Sequence, residues 1–213
     1  MIHDVQLFSY ASTQMRKPMG QGHKVETKTS LALFLDQEIK PPVWENPQDG
    51  LVIVCHSLEG EVPPAFEEAC HAWNLASRGG VLLIPKIAYT EEIPSSVHIR
   101  IEWGNYPNPQ RPYEVGRTVN HIRERRGRQW IEGSDIILQK NPKINAHLDE
   151  MGRQRQLYAT FLHEIGHALG LEHTQEPVSI MFHKSLQNVV FTPEDTAQLH
   201  RLYPPCSLFG TGE

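Results

Sequence analysis

The stretch Phe161 to His173, FLHEIGHALGLEH, constrains this chain more than any other, because it sets His163, Glu164, His167, Gly170 and His173 at fixed offsets. Residues four apart share one face of an α-helix, so His163 and His167 can aim two imidazoles at one metal ion, with Glu164 beside them as a base. Gly170 can take a positive φ or permit a close backbone approach, which would end the helix and swing His173 back as a third nitrogen ligand. Three protein ligands leave the fourth tetrahedral position to water, as a catalytic rather than a structural zinc requires. Chance places His, Glu and His at these offsets in roughly one chain in a hundred of this length, and Gly170 and His173 lower the odds by about three further orders of magnitude. The competing reading is a buried helix whose histidines satisfy ordinary hydrogen bonds.

The motif HExxHxxGxxH over these residues resembles the zinc-binding signature of the metzincin metallopeptidases. Ser179-Ile180-Met181, with Met181 eight residues after His173, resembles their Met-turn at the spacing of the matrixin (matrix metalloproteinase-like) branch, and the same three residues also look like the astacin Met-turn. The resemblance implies His163, His167 and His173 as ligands of one catalytic zinc, Glu164 as catalytic base, Gly170 as the turn and Met181 as a hydrophobic floor beneath the metal. Taken alone, Met181 reads as plain core filler, since a thioether is an adaptable apolar group. Phe182 and His183 stand where matrixins usually have an aromatic residue and then proline. In the astacin branch the position two after the methionine holds a tyrosine near the zinc, which would put His183 near the metal or an oxyanion. A local structural or specificity role for Phe182 and His183 in a pocket wall is the other reading.

The implied fold is α+β and metzincin-like. It has a twisted mixed sheet, an active-site helix with a second helix backing it above the cleft, and a small, mostly irregular C-terminal lobe with one helix. The expected catalytic domain is residues 50–205, with an upper lobe 50–172 and a lower lobe 173–205. Residues 1–49 are expected as an N-terminal extension or a prosegment across the cleft, and 206–213 as a tail. Leu51 to Cys55 suits a buried strand, and Pro63 or Pro64 can start a helix with Phe66, Ala69, Cys70, Trp73 and Ala76 on one stripe before Gly79-Gly80. Val81 to Ile84 reads as a second strand. Val97 to Trp103 alternates with period two, which puts His98 on the surface. Gly104 to Arg128 reads as a solvated loop with a short edge strand near Tyr113 to Val119, and a nucleic-acid patch at Arg123 to Arg128 is disfavoured by sparse aromatic residues. Asp135 to Leu138 is another strand, Arg153 to Leu169 the active-site helix, and Thr192 with Pro193 and Asp195 opens a last helix. His121 and His147 have no partner at ligand spacing and read as solvated.

Matrixins commonly hold structural zinc and calcium ahead of the active-site helix. The His and Asp cluster they use is not evident, and neither calcium nor a second structural zinc is assigned. Cys55, Cys70 and Cys206 are too few and too scattered for a disulfide framework; Cys55 and Cys70 read as buried thiols, with a pair between any two left open. Nothing like the cysteine motif of matrixin propeptides surrounds any of them.

A chain of 213 residues with 39 % hydrophobic content can bury one substantial core or two small lobes around a cleft. Its net charge of −5 offers no general attraction to nucleic acid or anionic membrane. MIHDVQLFSYASTQMRK lacks a basic then apolar leader, and no run reaches the roughly 18 apolar residues of a membrane span, so the sequence reads as cytoplasmic, although the resembled family is mostly secreted. Taken together, the expectation is a monomeric zinc endopeptidase acting on protein or peptide substrates through Glu164. The alternatives are a zinc-stabilised protein-binding module without turnover, and a self-processing or single-substrate metallopeptidase.

Overall fold

A computed structural model describes residues 40–57, 63–89, 96–104, 115–140, 147–183 and 187–206. Most of the expected N-terminal extension and nearly all of the tail lie outside them. The elements are β1 (Val43–Trp44), β2 (Leu51–His56), α1 (Ala65–Ser77), β3 (Leu83–Ala88), β4 (Ile99–Gly104), β5 (Gly116–Arg125), β6 (Arg128–Gln139), α2 (Glu150–Ala168) and α3 (Pro193–Leu202). The class is α+β.

The sheet runs β3-β2-β4-β6 with every pairing parallel, and β5 closes one side antiparallel to β6. β1 and β4 share the other edge of β6, with Val43 opposite Trp130 and Ile99 opposite Ser134. In β2, Ile53 and Cys55 share one face with Ile99 and Ile101 of β4, and all four are fully buried in the core with α1 and α2. α1 lays Phe66, Ala69, Cys70 and Trp73 into the core, where Phe66 and Trp103 flank Phe161 of α2. Cys55, Cys70 and Cys206 are all free thiols. Burial pushes the Cys55 thiol up to about 12, so it is inert at neutral pH. Among the described residues, no helix is long and apolar enough to cross a membrane.

Four expectations change. Of the stretch expected as a solvated loop with a short edge strand near Tyr113 to Val119, residues 105–114 lie outside the described residues. The rest is the long strand β5, joined to β6 through Arg126 and Gly127 at φ 55° and 72°, the positive-φ pair of a two-residue hairpin turn. The arginines are accommodated at the exposed end of this ribbon: Arg123 pairs with Glu132 at 2.7 Å, and Arg128 lies 4.1 Å over the Trp130 ring. β6 accordingly begins at Arg128, not Asp135. β3 begins at Leu83 and runs through Pro85, which is tolerated because β3 is an edge strand. His98 is half-buried, not a surface residue: its Nδ1 accepts from the Val52 N–H at 3.0 Å and its ring meets Trp44 edge-on. His121 is exposed and bonds Asp135 at 2.7 Å, and His147 is exposed.

Candidate metal centre

α2 starts where the Asp149 side chain accepts from Gly152 N–H and carries its last turns through the core. His163 and His167, four residues apart, are buried on one face, with their Nε2 atoms 3.1 Å apart. Gly170 then takes φ 88°, with Leu171 N–H donating to Gly166 carbonyl and Gly170 N–H to His167 carbonyl, the Schellman ending. A Cβ at Gly170 would sit 2.6 Å from the Pro42 carbonyl oxygen, so a side chain is excluded by space as well as by φ. Beyond this turn His173 comes back, with its Nε2 3.1 Å from that of His167 and 3.3 Å from that of His163.

The outward nitrogens settle which ring atoms carry protons. His163 Nδ1 lies 2.7 Å from the Ile180 carbonyl and His167 Nδ1 2.8 Å from the Leu171 carbonyl. A carbonyl only accepts, so Nδ1 is the donor in both and the Nε2 lone pairs face the centre. Burial first, and then the neighbouring histidines, hold the His163 imidazole down at about 4 and His167 well below its usual range. His173 is likewise lowered to about 4, by burial and then by His183. The inward lone pairs of His163 and His167, with the His173 Nε2 beside them, make a centre suited to a cation. Tetrahedral coordination at about 2.0–2.1 Å would space the nitrogens about 3.3–3.4 Å apart, close to the spacing found, so the residues fit a zinc ion. Among the described residues this is the one cluster that could hold a metal.

The lower wall is built by Asp195. In the capping box of α3 its carboxylate accepts from Thr192 N–H and Oγ at 2.8 and 2.9 Å, and it also receives the Ser179 hydroxyl and the Ile180 N–H. Ser179 Oγ accepts in turn from Met181 N–H at 2.9 Å, and Met181 carbonyl accepts from Thr174 N–H at 3.1 Å. The Ile180 carbonyl that orients His163 is thereby fixed. Met181 itself is fully buried against α2, where a Cβ on Gly166 would lie 2.5 Å from its Sδ and 2.9 Å from Trp73.

Glu164 is fully buried and faces β5. The Thr118 hydroxyl donates to its Oε2 at 2.6 Å, and a Cβ on Gly116 would come within 2.8 Å of its Oε1. Asn120 Nδ2 donates to the His167 carbonyl at 2.8 Å. Sequence reasoning missed Gly116, Thr118 and Asn120, because a strand face of small and polar residues shows no apolar alternation. It also missed Trp44 and Tyr203, whose indole N–H and hydroxyl donate to the Ala168 and Leu169 carbonyls at 2.8 Å each. His183 stays outside the three-histidine group: its ring centroid is 5.9 Å from that of His173, and it stacks at a tilt with Phe182.

The family model described as Matrixin matches residues 57–204. This chain belongs to the matrixin family. No match was found among curated proteins. Matrixins are zinc metallopeptidases, which places the chain among peptide hydrolases. The matrixin match begins just after β2 and takes in α1, β3 to β6, α2, and the segment carrying Met181 and α3.

Proposed function

We propose that this matrixin is a zinc endopeptidase in which His163, His167 and His173 hold the metal and Glu164 is the general base. The observation that carries the reading is the convergence of three Nε2 atoms at 3.1–3.3 Å, with Glu164 adjoining His163 on the same helix. Zinc at this position would polarise the scissile carbonyl and make water acidic enough to lose a proton near neutral pH. Glu164 accepts that proton and returns it to the leaving amine, so one carboxylate serves as base and then acid. The Thr118 hydroxyl holds the Glu164 carboxylate in a single orientation, which makes Thr118 a positioning residue. Gly116 leaves room for the carboxylate where any side chain would intrude.

The substrate is a peptide or protein segment. It lies extended along the edge of β5 that faces away from β6, and main-chain pairing supplies affinity there. Phe182 and His183 form part of the wall beside the metal, and Gly170 and Met181 are structural at the site. Residues 50–205 act as the catalytic domain, with β1 an addition from the preceding segment that pairs with β6.

The test compares the full chain with Glu164→Ala on a mixed peptide library, with bound zinc quantified in both. Equal zinc and hydrolysis by the unaltered protein alone is the expected result. Equal zinc with hydrolysis by neither would favour a zinc-stabilised binding module, and hydrolysis by both would remove Glu164 from the mechanism.

A further inference from the structure

We propose that the tip of the β5–β6 ribbon is a docking site for an acidic segment of the polypeptide substrate, far along the chain from the cleaved bond. That the docked chain is a substrate rests on the peptidase reading. Residues Arg123 to Glu132 hold four arginines and two glutamates in a chain whose net charge is −5, so this end of the ribbon is basic on an otherwise acidic molecule. Arg125, Arg126 and Arg128 are exposed, and among the described residues Arg123 alone of the four has a carboxylate partner, Glu132.

Local rules argue against arginine at these places. A two-residue hairpin turn needs a positive φ at both central positions, which favours Asn-Gly, yet the first is Arg126 at φ 55°. Arg125 and Arg128 stand directly opposite each other where they close the turn, and a like-charge pair weakens the strand pairing it belongs to. Residues that breach local rules with no gain to the fold mark functional positions. An anionic ligand offsets both costs, because each guanidinium then meets a carboxylate in a charge-assisted hydrogen bond. Arg128 is already set for it: its guanidinium lies 4.1 Å over the Trp130 ring, and stacking on one face leaves the N–H edge to fork onto a carboxylate.

The mixture of charges narrows the partner to a polypeptide. Glu124 and Glu132 lie among the arginines, so a continuous chain of phosphates across the tip would meet them. A polypeptide can set acidic residues at the arginines and neutral ones at the glutamates. Residues 125–128 include no large apolar side chain to enter a bilayer. β5 joins the tip to the metal centre: its edge away from β6 pairs with no strand among the described residues, and Gly116 at its start abuts Glu164. Arg125 ends the strand nine residues farther on, about 30 Å at 3.3–3.4 Å per residue. A substrate extended along that edge reaches the arginines on one side of the cleaved bond only.

The test titrates zinc-loaded protein with fluorescein-labelled twelve-residue peptides, one alternating serine with glutamate and one alternating serine with glutamine, and reads anisotropy. The glutamate peptide should bind saturably and lose affinity as salt rises, and the glutamine peptide should bind about tenfold more weakly. Arg126→Asn should weaken the glutamate peptide about fivefold while raising the melting temperature, because asparagine accepts a positive φ more readily, so unfolding is no explanation of the loss. Hydrolysis is then measured on a peptide cut from a mixed library, extended at either end by a serine spacer and four glutamates. Extension at one end should raise kcat/KM about tenfold through KM, extension at the other should have no effect, and in Arg126→Asn the preference should fall toward unity. No saturable binding, equal binding of the glutamine peptide or unaltered affinity in Arg126→Asn overturns the proposal, as does tighter binding of a twelve-base-pair DNA duplex or of phosphatidylserine vesicles. Glutamate binding with hydrolysis indifferent to either extension overturns the assignment of the docked chain as substrate. Glutamate binding with no hydrolysis of any peptide sinks the peptidase reading and leaves the docking tip, and hydrolysis without glutamate binding sinks the tip alone.

Discussion

Asp195 and Ser179, sixteen residues apart, are joined by a hydrogen bond from the serine hydroxyl to a fully buried carboxylate. The same carboxylate caps α3 and receives the Ile180 N–H, so one side chain joins the last helix to the carbonyl that orients His163. Asp195→Ala would leave the Ile180 and Thr192 N–H groups and the Ser179 hydroxyl without their acceptor. We expect a loss of about 3 kcal/mol of folding stability in chemical denaturation, the sum of a lost cap and stranded donors. Zinc affinity should fall with it, and zinc binding at the parental level would show that Ile180 holds His163 without help from α3.

Thr118→Val keeps the shape of the side chain and removes the donor to Glu164. Zinc content should be unchanged, while kcat falls about tenfold with little change in KM, since a hydrogen bond to an ionised group is lost at the base and not at the substrate. A raised KM with parental kcat would assign Thr118 to substrate binding instead.

Gly166 lies where α2 is pressed by Met181 and Trp73. Gly166→Ala should destabilise by about 2 kcal/mol through overpacking, despite the better helix propensity of alanine. In a Met181→Ala background the same change should cost less, because part of the obstruction is gone, and a double-mutant cycle measures that coupling. Strict additivity would mean that the helix shifts away and Met181 bears no load.

The metal-free protein should lose stability in mild acid. His163 and His173 sit at about 4 when folded against an ordinary value of 6.5, and His167 is also lowered. The unfolded chain therefore takes up protons first as pH falls, so this contribution is complete above about 6.5 and declines toward 4. Thermal melts of metal-free protein across that window check the sign. A flat Tm would show that the imidazoles are not held neutral by burial.

Much of the centre was legible because its chemistry is local. His163, Glu164, His167, Gly170 and His173 lie in one short stretch whose helical period and glycine turn fix their relation, and Thr192, Pro193 and Asp195 announce a helix start just as plainly. The apolar stripe of α1 was equally clear. β5 was not, since its inward face is Gly116, Thr118 and Asn120, which bury small and polar groups against α2 and give no hydrophobic alternation. Trp44, Tyr203 and His98 were missed for another reason: each acts on a main-chain atom far away in sequence, and no pattern of side-chain types records where a distant carbonyl or N–H will come to lie.

The end of α2 is where distant parts of the chain meet. Its last carbonyls are taken by Asn120 from β5, by Trp44 from β1 and by Tyr203 from beyond α3, and Trp44 N–H itself donates to the Tyr203 hydroxyl across 159 positions of chain. Contacts between such distant parts of a chain form slowly, because a long loop must close before they yield anything. The turn that returns His173 is thus held by contacts that only a fully closed chain supplies, and we expect retention of zinc by all three histidines to report on completed folding.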